Sequence, residues 1–187
     1  MHSQPLPAHI SMFNDIIGEL NVVVHSKTDE LSLARKLRDI QKKATDLQNL
    51  NVPVGLSALG SVAAARGQWD LMHKYHKRSL QFVQEDVLIL NYAVSMSYAG
   101  QFLDAINLIM TIYDSIKGDE KVLGSLVQWA FAAKDEKRFV QFSQAYRNVT
   151  GREHNLFIEY LEELDEIEKL TDVCTTLSAE TFLASHG

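Results

Sequence analysis

The hydrophobic pattern of the chain is clearest in residues 86–117, where two helical patterns meet at Gly100. On each side of the glycine, apolar and small residues recur at spacings of three and four, which places them on one helix face. The positions before and after the turn are Ile89, Tyr92, Ala93, Met96, Phe102, Ala105, Ile106, Ile109 and Ile112. Because only a short turn separates the two helices, they are predicted to fold back as an antiparallel hairpin.

The same pattern occurs three times along the chain. Gly67 precedes Gly100 by about 33 residues, and a polar turn at Lys134 and Asp135 follows about 34 residues later. Small residues such as Gly60 and Ala93 precede the turns, where they would let the paired helix approach closely. A period near 34 with this pattern is typical of a helical-repeat array. The alternative is a plain helical bundle whose turns happen to share this spacing.

Two segments, GLSALGSVAAARGQWDLM and ILNYAVSMSYAGQFLDAI, resemble the tetratricopeptide repeat family. Both carry the small residues, the turn glycine and an aromatic residue two positions later. A third segment, VLGSLVQWAFAAKDEKRF, lacks the glycine and is a degenerate match. The resemblance implies an all-α fold in which antiparallel helix pairs stack in a right-handed superhelix, with three repeats over residues 53–151. The fold of this family by itself says little about function.

Further helices are expected on both sides of these repeats. Residues 1–52 are predicted to form a pair of helices, either a repeat that has lost its signature or a separate flanking pair. The first helix is expected to place Ile10, Phe13, Ile17, Leu20 and Val24 along one face. The segment 51–53 is expected to break the chain before the first clear repeat, because it contains Pro53. Residues 152–187 are predicted to form an acidic capping helix and a tail, because an array needs a last helix with one apolar and one polar face. The three segments together are expected to make one compact array.

Composition and charge narrow the possible functions. The net charge is −6, and residues 153–187 hold nine acidic residues against one basic residue, Lys169. This balance argues against nucleic acid as a partner, because nucleic-acid binding requires a basic surface. Cys174 is the only cysteine, so no internal disulfide can form. No secretory signal or membrane-spanning segment is recognised, so a soluble cytoplasmic protein without membrane association is expected.

The candidate chemistry is sparse, and we expect neither an enzyme nor a bound cofactor or metal. His73 and His76 have a spacing that suits a metal, but Lys74 and Lys77 surround them with positive charge. No paired carboxylates, nucleophile with a base, or phosphate-binding glycine loop is recognised. A basic ridge of Arg35, Arg38 and Lys42 is either a solvated face or a contact for an acidic partner.

The remaining candidate is the concave groove that such arrays form with the first helix of each pair. The residues predicted to line it are Leu90, Asn91, Val94, Tyr98, Lys121, Gln128 and Phe131. One branch of the resembled family grips a terminal carboxylate there, but only Asn91 and Lys121 stand at matching places. We therefore expect an adaptor or a partner-specific chaperone that binds an extended or helical protein segment. The alternative is a self-assembling subunit, through its basic and acidic ends; either a monomer or a weak homo-oligomer is expected.

Overall fold

All regular secondary structure in residues 7–165, which the computed structural model describes, is α-helical. This confirms the all-α prediction. The helices are α1 Ala8–His25, α2 Glu30–Leu50, α3 Val52–Ala65, α4 Trp69–Phe82, α5 Asp86–Tyr98, α6 Phe102–Met110, α7 Tyr113–Ile116, α8 Glu120–Ala132 and α9 Glu136–Thr150. A further helix, α10, covers residues 155–165. The chain divides into two compact units, Met1–Tyr113 and Asp114–Gly187.

Helix α3 is the centre of the first unit. Its sequence, VPVGLSALGSVAAA, is apolar or small almost all round, as expected of a helix surrounded by protein. It packs against α1, α2, α4 and α5, and α1 also packs on α2. Buried side chains of α1, α2, α3 and α5 form one core: Phe13, Ile16, Leu20, Val23, Leu37, Ile40, Ala44, Leu47, Val54, Ala58, Leu59, Val62 and Leu88.

The corner between α2 and α3 forms where the sequence predicts a break. Asn51 follows the last residue of α2 and also caps α3, because its side-chain oxygen accepts a hydrogen bond from the Val54 N–H at 3.1 Å. Pro53 occupies the first turn of α3, where a missing N–H costs nothing. The predicted break therefore forms, and the structure places it at Asn51, because α2 ends at Leu50 and α3 begins at Val52.

The turns after α3, α5 and α8 share one backbone conformation. Gly67, Gly100 and Lys134 all have positive φ angles, of 68°, 73° and 56°. In each turn the N–H of the following residue donates to the carbonyl five positions earlier, at 2.9 to 3.0 Å. This is the closing hydrogen bond of a Schellman motif. The periodic turns predicted from the sequence therefore form, and Lys134 adopts the left-handed conformation for which the other two turns use glycine.

A substitution at this third turn is expected to stabilise the protein. Glycine has no Cβ to oppose a positive φ, so Lys134→Gly should raise the free energy of unfolding by about 0.5–1 kcal/mol. Urea unfolding of the two proteins measures the change. The reverse substitution, Gly100→Lys, should lower stability. An unchanged or lower stability of Lys134→Gly would show that the lysine side chain contributes more than its backbone strain costs.

The second helix of the central hairpin is shorter than predicted. The pattern of residues 102–117 suggested one continuous helix that includes Ile112, but α6 ends at Met110 and α7 begins at Tyr113. At the break, the Thr111 hydroxyl donates to the Leu108 carbonyl at 2.7 Å. Such local bonds compete with the regular helix ladder.

The buried face of α1 also differs from the prediction. The sequence suggested a stripe that includes Ile17 and Val24, whereas the structure buries Ile16 and Val23. Each predicted residue has an apolar neighbour next to it, so periodicity alone did not fix the rotation of the helix. The difference leaves Ile17 and Val24 on another face of α1.

The second unit is built around an aromatic cluster. Phe139 of α9 is buried, and its ring lies 5.3 to 5.7 Å from the rings of Phe131, Phe157 and Tyr160. Helix α10 thus covers α9 with part of its apolar face, as expected for a capping helix, although Leu164 is exposed. Residues 166–187, for which an acidic helix end and tail were predicted, lie outside the described residues.

Candidate functional site

Three of the predicted groove residues lie together in the first unit. Asn91, Val94 and Tyr98 of α5 line a recess with residues of α1 and α3. The recess has a volume of about 30 Å³, which is far below the size of a typical ligand pocket. Leu90, the fourth predicted residue of α5, is half-buried. The recess itself can therefore receive no more than one small side chain.

Asn91 uses its amide to join α5 to α3. Its Nδ2 donates to Ser57 Oγ at 2.8 Å and to Ser61 Oγ at 2.9 Å. These bonds saturate both amide protons. Asn91 can therefore donate to a ligand backbone only if it releases α3, which makes its amide group a structural clamp in this conformation.

Val94 and Tyr98 remain accessible beside this clamp. The Tyr98 side chain is 43% exposed, and burial of part of the ring raises the pKa of its hydroxyl. Ile17 and Val24 of α1 complete the surface. Neither residue was predicted to line the groove. The available signal was the pair of adjacent apolar residues at positions 16–17 and again at 23–24 of α1.

An apolar recess of about 530 Å³ lies in the second unit. Predicted groove residue Phe131 lines it and is 47% exposed. Phe139, Tyr160 and Leu164 form the other apolar walls. Its volume falls within the usual range for ligand pockets, about 300–1,000 Å³. Two of these wall residues belong to α10, which the sequence assigned only a capping role.

Charged groups at the mouth of this recess are partly engaged with each other. The Tyr160 hydroxyl donates to the Glu136 carboxylate, and this bond raises the pKa of Tyr160. Asp135 accepts from the Arg138 backbone N–H and forms an ion pair with its guanidinium at 3.6 Å. Lys134 also lines the recess.

A second, polar recess in the same unit has a volume of about 550 Å³. Gln128, one turn before Phe131 on α8, lines it together with Arg152, His154 and Asn155. The two predicted residues thus belong to neighbouring recesses of different character. Lys121, the remaining predicted residue, is exposed near the start of α8.

The polar recess presents hydrogen-bond donors. His154 Nδ1 accepts from the Leu156 N–H at 3.3 Å, which leaves Nε2 as the protonated donor of the neutral ring. Burial lowers the pKa of His154 and so favours this neutral form. Arg152 donates to Glu120, which also accepts from the Tyr146 hydroxyl at 3.3 Å.

The two histidines considered as metal ligands lie in the packing between α4 and α5. His73 Nδ1 is 2.7 Å from the Tyr92 hydroxyl, and the fully buried His76 stacks on the Tyr92 ring. His76 Nε2 is 2.9 Å from Ser95 Oγ. Since Ser95 donates its own proton to the Asn91 carbonyl, its oxygen accepts from His76. Within residues 7–165, no three potential metal-ligating side chains converge.

Comparisons with protein-family models, curated proteins and solved structures find no significant match to this chain. None of the helices in residues 7–165 is long and apolar enough to cross a membrane.

Proposed function

We propose that this protein is a non-enzymatic binding module built from tetratricopeptide-like repeats, acting as an adaptor or a partner-specific chaperone. The repeated left-handed turn at residues 67, 100 and 134 supports the repeat assignment. The packing order in the first unit supports it too. Helix α3 contacts its own pair partner α4, the preceding pair α1 and α2, and the first helix of the next pair.

The observation that carries the binding function is the apolar recess beside Phe131. It is large enough for one or two side chains of a partner, and aromatic rings form its walls. Exposed aromatic anchors of this kind commonly supply most of the binding energy at a protein interface. The neighbouring polar recess, which Gln128 lines, offers hydrogen-bond donors that would fix the register of a bound segment. The single cysteine fits a cytoplasmic location.

A selection experiment tests this function. The full chain is used to select binders from a display library of random peptides about three helical turns long. Selected peptides should bind Phe131→Ala at least tenfold more weakly, because about 1.4 kcal/mol or more is lost with the aromatic wall. Phe82→Ala is the matched control, since Phe82 is 53% exposed on α4, outside the recess.

Equal binding to wild type and Phe131→Ala would contradict a site at this recess. Thermal unfolding of both variants is measured in parallel, so that a loss of folding is not mistaken for a loss of contact. Tyr98→Ala is tested with the same peptides, because it removes the exposed aromatic ring of the first unit and leaves the Asn91 clamp intact.

A self-assembling subunit is the second candidate, and the basic ridge on α2 favours it. Arg35, Arg38 and Lys42 are exposed on the side opposite the buried stripe of that helix, and make no ion pair within residues 7–165. An acidic surface of another copy would fit there. This candidate requires an oligomer that dissociates at high salt, because screening weakens contacts between exposed charges. A monomer at low salt would rule it out.

A further inference from the structure

We infer that the apolar recess of the second unit takes a basic amphipathic segment, in which an aromatic or aliphatic anchor is flanked by lysine or arginine. This inference rests on the proposed binding function and adds the chemistry of the partner. It depends on two features of the recess, its apolar walls and the carboxylates of α10.

The walls select an apolar anchor. Phe131, Tyr160 and Leu164 expose apolar surface to the recess, and Phe139 forms its base. Transfer of an aromatic or aliphatic side chain from water onto this surface is favourable in proportion to the area covered. A polar anchor would lose its hydration against these walls, where the Tyr160 hydroxyl and Asp135 are already hydrogen-bonded within the protein.

The charge of α10 selects the residues that flank the anchor. Residues 155–165 of this helix contain four acidic residues and no lysine or arginine. Glu159, Glu162 and Glu163 are exposed and make no ion pair with any described residue. Tyr160 and Leu164 line the recess from one face of α10, and Glu159 and Glu163 form a parallel row about 100° around the helix from them. Glu136, which lines the recess itself, adds a carboxylate at its wall.

These carboxylates act together rather than as separate ion pairs. Each exposed pair contributes little free energy, but a set of like charges around an apolar site steers oppositely charged partners and rejects acidic ones. Among the described residues that line the recess, Lys134 is the only cation, whereas Asp135 and Glu136 are carboxylates. Asp135 is already engaged by Arg138. The local balance therefore remains negative and favours a basic partner over an acidic or neutral one.

The peptide selection described above also tests this inference, through the composition of the peptides recovered on the full chain. We expect enrichment of one aromatic or aliphatic residue with lysine or arginine within one turn. The double variant Glu159→Gln, Glu163→Gln should bind these peptides at least threefold more weakly at low salt and equally at high salt. Asp39→Asn with Asp46→Asn removes the same charge at two exposed positions of α2 and should leave binding unchanged.

The outcomes separate the inference from the function on which it rests. Neutral peptides that still require Phe131 would overturn the basic partner and leave the binding module standing. Acidic apolar peptides similar to residues 166–187 would overturn it too, and would indicate that the recess suits a segment of this chain. No enrichment over Phe131→Ala would overturn both proposals.

Discussion

Replacing Gly55 with alanine is expected to destabilise the protein by at least about 3 kcal/mol, at the upper end of overpacking costs. A Cβ at this position would lie 2.2 Å from Gln48 Cα and 2.3 Å from Gln48 N. Both are backbone atoms of α2, so no side-chain rotation can relieve the clash. Helices α2 and α3 would have to move apart near the corner at Asn51, where both contribute to the core of the first unit.

Gly18→Ala is the matched control, because it makes the same chemical change inside another helix. A Cβ at Gly18 would meet nothing within 4 Å, so the intrinsic preference of alanine for helix should stabilise the protein by about 0.5–1 kcal/mol. Urea unfolding measures both variants. The two substitutions should shift the midpoint in opposite directions; an unchanged or higher midpoint for Gly55→Ala would show that α2 and α3 do not approach at Gly55.

The second large effect is a loss of stability in mild acid that depends on His76. Burial, with a smaller contribution from the neighbouring His73, lowers the pKa of His76 to about 3 from its ordinary 6.5. Nδ1 of this ring finds no hydrogen-bond partner among residues 7–165, so the buried site does not support the charged form. As the pH falls below about 6.5, His76 becomes protonated in the unfolded chain but stays neutral in the native protein. Stability is therefore lost between about pH 6.5 and pH 3, by about 2 kcal/mol between pH 7 and pH 5.

The variant His76→Phe separates this effect from the titration of other groups. The ring can still stack on Tyr92, but it has no proton to gain. The difference in unfolding free energy between pH 7 and pH 5 should be smaller in His76→Phe by about 2 kcal/mol. An unchanged pH dependence in His76→Phe would show that His76 is protonated in the folded protein.

The sequence by itself determined the helices and their turns, because these depend on neighbouring residues. A period of 3.6 marks helical faces, and the left-handed turns recur where Gly67, Gly100 and the Lys134–Asp135 pair predict them. The helix break at Asn51 also depends on neighbouring residues, because Asn51 caps α3 and Pro53 suits its first turn.

Only the tertiary structure decided which side chains remain available to a partner. The side chain of Asn91 has the hydrogen-bonding groups that could hold a ligand backbone. Its two amide protons are instead donated to Ser57 and Ser61, about 30 positions away in sequence. Phe131 borders a large recess only because α10 packs beside α8 and α9 and supplies two of its walls. Such outcomes depend on contacts between residues distant in sequence, and periodicity along one helix carries no information about them.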